Sequence, residues 1–319
     1  MIRLAFSLLL LCPLATPAAE LPGIPQFIDE MVAKHQFKRD ELEKVFAYAQ
    51  YRPAIIEAIS RPFTAKPWLE YRAAFVNRKR IKLGREFWEK YRPTLRRAER
   101  KYGVPQEIVV ALIGVETIYG ENMGNYRVLD ALTTLAFDYP RRAEFFRGEL
   151  EQYLLLARDQ EFDLLDTRGS YAGAMGIPQF MPSSYRKYGV DFNGNGKTDL
   201  RHEARDAIGS VANYLQGYGW IKDAPVAVRA QVNGVIGAGE TATPRTLAAW
   251  AAAGIEPEGK LPPETGARLI EFTVGEGKEY WLAFNNFDVI TRYNNSDFYA
   301  MTVLQLAEEI KKSRTSPRK

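Results

Sequence analysis

Glu116 is the carboxyl group whose surroundings point most directly to chemistry. It stands in Leu112-Ile113-Gly114-Val115-Glu116-Thr117-Ile118-Tyr119-Gly120, as the one acidic side chain in the second half of a helix expected over Pro105 to Tyr119. Ile108, Val109, Val110, Leu112, Ile113 and Val115 make that helix apolar on most faces, which predicts burial. Apolar neighbours one turn back and a helix end expected at Gly120 both disfavour negative charge, so the carboxyl pKa should rise. A carboxyl kept protonated near neutral pH can act as a general acid. The same residue would equally serve as a buried glutamate bonded to backbone or to an arginine, and the helix alone does not choose.

Residue counts narrow the other chemistries. Cys12 is the only cysteine, and it lies in the short apolar run from Leu4 to Leu14, after Arg3 and before Ala15, Thr16, Ala18 and Ala19. That arrangement predicts a signal peptide over residues 1–19. The run is too short to span a bilayer as a helix, and Pro13 and Pro17 would break a buried one. Lipid anchoring through Cys12 is not expected, because Leu11 stands where a small residue should precede an acylated cysteine. Removal of this segment leaves no cysteine, and the two histidines, His35 and His202, are far apart in sequence. Disulfides, thiolate nucleophiles and histidine-rich zinc sites are therefore excluded.

A second candidate element is the loop from Ser170 to Phe180, rich in glycine and small residues. Gly173 and Gly176 would permit tight turns and close approach to a ligand, while Ser170 and Gln179 supply hydrogen-bonding side chains. An ordinary turn-rich connection has the same composition. Among 17 tyrosines, Tyr71, Tyr214, Tyr293 and Tyr299 lie in polar or amphipathic contexts that suit the apolar face and hydroxyls of a sugar; singly, each could be partial core.

The elements that must position these groups follow from periodicity. The 319 residues are 46% hydrophobic and 26% charged, a globular balance with room for two or three domains. Residues 20–102 read as a helical domain, with a helix from Asp40, as cap, to Ala49 and another from about Arg78 to Glu89. Residues 103–221 follow as the core, opened by Gly103 and Pro105, with a further helix from Arg141 to Asp159. Residues 222–290 read as a small β-containing subdomain. Its alternation runs through Val226 and Val232, and strands Arg268 to Val274 and Glu279 to Phe284 flank a glycine-rich turn. Residues 291–310 return to helical spacing, and 311–319 form a basic tail expected to be disordered. That tail holds five of the positive charges behind the net charge of +4, which leaves the body slightly acidic and argues against nucleic acid as a partner.

The segment from Asp191 begins like an EF-hand loop. Asp191, Asn193 and Asn195 take positions 1, 3 and 5, and Gly196 takes position 6 for the turn. Position 12 is His202 instead of a bidentate glutamate, so the common pattern fails.

Four segments, Gly114 to Thr117, Ser170 to Phe180, Asp206 to Leu215 and Ile290 to Ala300, together resemble the B-type membrane-bound lytic murein transglycosylases, in family order. The resemblance implies a mainly α, α+β fold, with a lysozyme-like central domain beside a helical domain and a small β-containing subdomain. It implies periplasmic cleavage of the β-1,4 bond from N-acetylmuramic acid to N-acetylglucosamine in peptidoglycan, leaving 1,6-anhydro-N-acetylmuramic acid. The family's acid falls on Glu116, and its glycan-groove positions on Tyr71, Arg141, Ser170, Gln179, Tyr214, Tyr293, Asn294 and Tyr299. Phe145 departs from the tyrosine common in relatives. No cofactor for catalysis is implied. A structural calcium ion is, held by Asp191, Asn193, Asn195, the Lys197 carbonyl and Asp206 in an EF-hand-like loop over 191–206. The implied partners are peptidoglycan glycan strands, with cell-wall synthesis proteins as further candidates and the chain a monomer. The alternatives are a hydrolytic muramidase and a non-catalytic peptidoglycan-binding protein.

Overall fold

The computed structural model describes residues 21–61, 66–233 and 243–315. The expected signal peptide, with Cys12, and the end of the basic tail at 316–319 lie outside the described residues. Capping and proline signals account for much of the first third: α1 (Ile24–His35), α2 (Arg39–Tyr48), α3 (Pro53–Ile59), α4 (Trp68–Phe75), α5 (Arg78–Lys90) and α6 (Arg92–Tyr102). The Asn77 side chain caps α5 by accepting from the Arg80 amide at 3.0 Å. Helix α2 starts two residues earlier than a cap at Asp40 would place it. Lys38 takes the cap position, and Asp40 and Glu41 sit in the first turn, where carboxylates favour the positive helix end.

Helix α7 (Gln106–Thr117) is the central element, buried from Ile108 through Val115 and packed against α5 and α6. It ends sooner than the sequence suggests. Ile118 and Tyr119 both take positive φ, at 53° and 62°, before Gly120 at 95°. The Ile118 and Tyr119 amides close the helix on the Gly114 and Ile113 carbonyls.

A two-stranded ribbon follows, β1 (Tyr126–Arg127) with β2 (Arg168–Gly169), enclosing α8 (Val128–Asp138), a 3-10 turn at Pro140–Arg142 and α9 (Ala143–Gln160). The helix expected from Arg141 thus begins two residues later, after the turn set by Pro140. Helices α10 (Pro182–Tyr188) and α11 (Ala204–Gly217) complete the central body, and α11 packs on α6 and α7.

The next elements are β3 (Ala227–Val232), β4 (Arg245–Thr246), α12 (Leu247–Ala252), β5 (Ile255–Pro257), β6 (Gly266–Val274) and β7 (Gly277–Ala283). The strands form an antiparallel sheet in the order β4-β6-β7-β3-β5. One face has its own core of Leu247, Trp250, Ile255, Ala267, Leu269, Leu282 and Phe284. The other contributes Ile270, Phe272, Trp281 and Ala283 to the main core. Helices α13 (Asn285–Thr291) and α14 (Asp297–Thr315) then return to the central body, where α14 packs on α4, α5 and α7. The fold is mainly α with a small sheet.

Helix α14 corrects the expected disordered tail, since it continues past Ile310 to Thr315. Lys311 pairs with Glu107 at 2.6 Å and Arg314 with Glu89 at 2.8 Å, with the Arg314 guanidinium 4.0 Å from the centre of the Trp88 ring. These contacts give the basic side chains partners that a linear charge count does not show.

Candidate active site

The last turn of α7 places Glu116 against α14 and α4. Behind it, glycines on α7 and α5 leave room for one aromatic ring between the two helices. The Tyr119 ring wedges between Gly114 and Gly84, and its hydroxyl donates to the Arg80 carbonyl at 2.9 Å. A Cβ at either glycine would come within 2.4 Å of that hydroxyl, so neither position has room for a side chain. Arg80 in turn donates from Nε to the Gly114 carbonyl at 3.0 Å. Thr117 fixes the helix end from the other side, donating to the Ile177 carbonyl at 2.8 Å and accepting from the Gly120 amide at 2.9 Å.

Burial pushes the Glu116 carboxyl up to about 7, opposed by a hydrogen bond that favours the charged form. The donor is the Tyr299 hydroxyl, which bonds to Oε1 and leaves the other carboxyl oxygen to carry a proton. Tyr299 is 2% exposed; burial and the adjacent carboxylate hold its phenol well above the usual tyrosine range, so it remains a donor. Tyr71, from α4, is also buried, and burial followed by the charge of Glu116 pushes it up to about 12.

A row of rings leads away from this centre. Tyr293 lies nearly parallel to Tyr299, with centroids 6.4 Å apart and planes at 13°. Tyr214 packs against Tyr293 at 4.8 Å, and Phe180 contacts both at 5.4 Å and 5.7 Å. Tyr293 donates to the Pro178 carbonyl at 2.5 Å and Tyr214 to the Arg292 carbonyl at 2.6 Å, so both hydroxyls brace neighbouring backbone.

The Ser170 loop joins the row through that Pro178 bond. Gln179 has φ of 52°, and its side-chain amide donates to the Met123 and Gly176 carbonyls at 3.1 Å and 2.9 Å. Ser170 Oγ accepts from the Ala172 and Ala174 amides at 3.2 Å and 3.0 Å. The two glycines serve packing within the protein. A Cβ at Gly173 would meet the Leu132 side chain, and one at Gly176 the Leu200 carbonyl, each inside van der Waals contact. The sequence pattern shows where the backbone is tight but not what it is tight against.

The structure thus brings Tyr71, Tyr293 and Tyr299 within the electrostatic reach of Glu116, sets Tyr214 one ring further out against Tyr293, and keeps Gln179 and Ser170 in the loop tied to Tyr293 through Pro178. Arg141 and Asn294 are exposed, and no bond of either side chain links it to this cluster among the described residues. Asn294 follows Tyr293 directly, whereas Arg141 belongs to the turn before α9, near Phe145, which is 41% exposed and covered by the Arg142 guanidinium at 4.2 Å. Sequence inspection passed over Thr117 as a helix lock and Phe180 as a member of the ring row. Both lie inside segments already singled out, and only the fold shows what they touch.

At the acidic loop, the Asp191 carboxylate accepts amides of Gly194, Asn195 and Gly196 at 2.7–3.2 Å. Asp206, fully buried at the start of α11, accepts amides of Phe192 and Asn193 on one oxygen and of Asp199 on the other, at 2.9–3.0 Å. Burial raises the Asp206 pKa, and the charge of Asp191 adds to the rise. In the same loop Asn193 Oδ1 accepts the Asn195 amide and Asn195 Oδ1 the Lys197 amide, both at 2.9 Å, and two carboxylates on a loop with such neutral oxygens are donors of the kind a hard cation takes. No group of three or more histidine, cysteine or acidic side chains gathers for a metal among the described residues, so any such ion would depend on neutral oxygens. His202 turns to Asp199, at 2.9 Å, and is exposed.

Comparison with known proteins places this geometry in a family. Residues 20–308 match the transglycosylase SLT domain model, and the chain belongs to that family. Over 306 residues, 93% of this chain and 84% of the relative, it is 45% identical to the membrane-bound lytic murein transglycosylase B of Escherichia coli strain K12. The solved E. coli lytic transglycosylase Slt35 in complex with calcium superposes with a TM-score of 0.89 at 44% identity, over 95% of this chain and 96% of that one. SltB3 from Pseudomonas aeruginosa in complex with NAG-anhNAM-pentapeptide gives 0.80 at 31% identity, over 90% and 78%.

Proposed function

We propose that this chain is a lytic transglycosylase of peptidoglycan. It cleaves the β-1,4 bond between N-acetylmuramic acid and N-acetylglucosamine and leaves 1,6-anhydro-N-acetylmuramic acid ends. The observation that carries the proposal is the single contact of the Glu116 carboxyl: burial raises its pKa, and the hydrogen bond recorded to it among the described residues comes from a tyrosine hydroxyl and not from a second acid or base. Glycosidases that hydrolyse with paired carboxylates set them roughly 5–9.5 Å apart on either side of the scissile bond, whereas closure of the anhydro ring needs one group to give and retrieve the proton. Among the relatives, a murein transglycosylase and a homologue solved with an anhydro-muropeptide support the same chemistry.

Protonated Glu116 donates to the leaving glycosidic oxygen. The substrate's own 2-acetamido oxygen stabilises the positive charge that develops at the anomeric carbon. Ionised Glu116, now holding the Tyr299 hydrogen bond more strongly, takes the proton of the 6-hydroxyl, which closes the 1,6-anhydro ring on the same sugar. Attack within one sugar has a large effective-concentration advantage over attack by water. Tyr71, Tyr214, Tyr293, Tyr299, Gln179 and Ser170, with the exposed Asn294 and Arg141, are the proposed glycan contacts. Asp191, Asn193, Asn195, Lys197 and Asp206 would hold a structural calcium ion, which supplies cross-linking of the loop and no chemistry; the calcium complex of Slt35 supports this. The expected place of action is the periplasm. No helix of the described residues is long and apolar enough to cross a membrane.

The pH profile on purified sacculi tests the proposal. The acid form of Glu116 is populated below its pKa of about 7 and lost above it. Release of soluble muropeptides should therefore be sustained on the mildly acidic side and fall tenfold per pH unit well above 7. A rate still rising at alkaline pH would exclude a protonated Glu116 as the acid.

A further inference from the structure

We infer that Arg268, in the small sheet, is a positioning residue for the acid site, holding in place the segment that presents Tyr293 and Tyr299 to Glu116. The inference rests on the role proposed for Glu116. Side chains alternate between faces along β6. Ala267 and Leu269 join the sheet's own core, which leaves Arg268, Ile270 and Phe272 on the face turned toward the helices.

There the guanidinium makes three charge-assisted bonds. Nε donates to Asp288 Oδ1 at 2.8 Å, Nη1 to Asp297 Oδ2 at 2.9 Å and Nη2 to Asp297 Oδ1 at 2.5 Å. Its Cζ lies 5.3 Å from the centre of the Phe287 ring. Asp288 belongs to α13 and Asp297 opens α14. The chain between them carries Tyr293 and Asn294, and Tyr299 follows Asp297 by two residues. One side chain therefore ties both ends of the connection that delivers the ring row. A lysine has no planar fork and could not hold both carboxylates in the same way.

The same sheet face also braces α4. Phe272 packs on Trp68 at 4.5 Å and on Phe298 at 5.7 Å, and Trp68 Nε1 donates to Glu279 of β7 at 3.1 Å. Trp68 opens α4, the helix that carries Tyr71. The sheet is thus the bracket between the two elements that supply tyrosines to the acid.

The test uses the full chain as Arg268→Ala, Arg268→Lys, Tyr299→Phe and the double variant Arg268→Ala/Tyr299→Phe. Turnover on soluble glycan fragments, melting temperature and the Glu116 titration, followed by carbon NMR of its carboxyl group, are measured for each. In Arg268→Ala, kcat should fall by roughly tenfold to a hundredfold, the scale of a misplaced catalytic constellation, with a smaller change in KM. The Glu116 titration should move upward, in the direction given by Tyr299→Phe, because the bond that favours the carboxylate is weakened. Arg268→Lys should recover part of both effects, and the double variant should lose no more than the more damaging single change. A folded Arg268→Ala with an unmoved Glu116 titration, or losses that add in the double variant, would overturn the inference. If Arg268→Ala does not fold, Asp297→Asn, which keeps the shape and removes the charge, is read by the same criteria. Absence of muropeptide release by the wild type would instead sink the proposed function. The carboxyl titration needs no turnover and decides the clamp in either case.

Discussion

Glu116→Gln is expected to remove turnover, by about 10²–10⁴-fold if general acid–base transfer alone is lost and by more if both proton steps fail. The amide matches the carboxyl in size and can still accept the Tyr299 hydrogen bond, so folding and glycan binding should persist. Stability gives the same variant a second, independent signature. The wild-type carboxyl titrates at about 7 in the fold against 4.5 ordinarily, so the folded state binds more protons than the unfolded state between those values. Stability of the wild type must then fall as pH rises through that window. Glutamine does not titrate. The melting temperature of Glu116→Gln should exceed that of the wild type above about pH 7, and the gap should close toward pH 4.5. Melting curves across this range, with turnover assays on the same preparations, check both claims.

Asp206→Ala is expected to be the most damaging single change outside the acid site. Its buried carboxylate accepts the Phe192, Asn193 and Asp199 amides, and truncation leaves three donors without a partner. The Phe192 amide is buried and the other two are partly buried, so at about 1–3 kcal/mol for a buried donor left without a partner the loss should be on the order of a few kcal/mol. Asp191→Ala is milder, because its amide partners lie at an exposed turn that water can reach. Its effect should appear in calcium dependence instead. An ion bound by the native state alone stabilises by RT ln(1 + [Ca²⁺]/Kd). With two carboxylates in the donor set, calcium on the order of millimolar should raise the wild-type melting temperature above that in chelator. The two curves should coincide for Asp191→Ala. Coincident wild-type curves throughout that range would show the loop to be a metal-free turn.

How much of this was legible in the sequence differs from element to element. Helix α7 was plain because an almost wholly apolar helix has no alternative to burial, and Glu116 was conspicuous by contrast. The end of that helix was not legible. Ile118 and Tyr119 adopt left-handed backbone that a β-branched and an aromatic residue disfavour locally. Contacts remote in sequence, from Thr117 to Ile177 and from Tyr119 to Arg80, hold them there. The same holds at the C-terminus, where Lys311 and Arg314 look like a solvated tail until Glu107 and Glu89 are brought beside them. The tyrosines were visible as sugar-compatible side chains, but their order from Glu116 through Tyr299, Tyr293 and Tyr214 is a property of α7, α11 and α14 meeting. Arg268 gave no signal beyond a charge on a half-buried strand, since its partners, Asp288 and Asp297, acquire meaning only once the sheet is docked.

The most direct test is the mass of the fragments released from purified peptidoglycan by the wild-type chain, with digestion carried out in water enriched in heavy oxygen. Intramolecular closure on the 6-hydroxyl consumes no solvent. The muramic ends should therefore be lighter than a hydrolysis product by one water, carry no heavy oxygen and resist borohydride reduction. Reducible muramic ends labelled with solvent oxygen would show hydrolysis, and the single-carboxyl transglycosylase mechanism built on Glu116 and Tyr299 would be wrong.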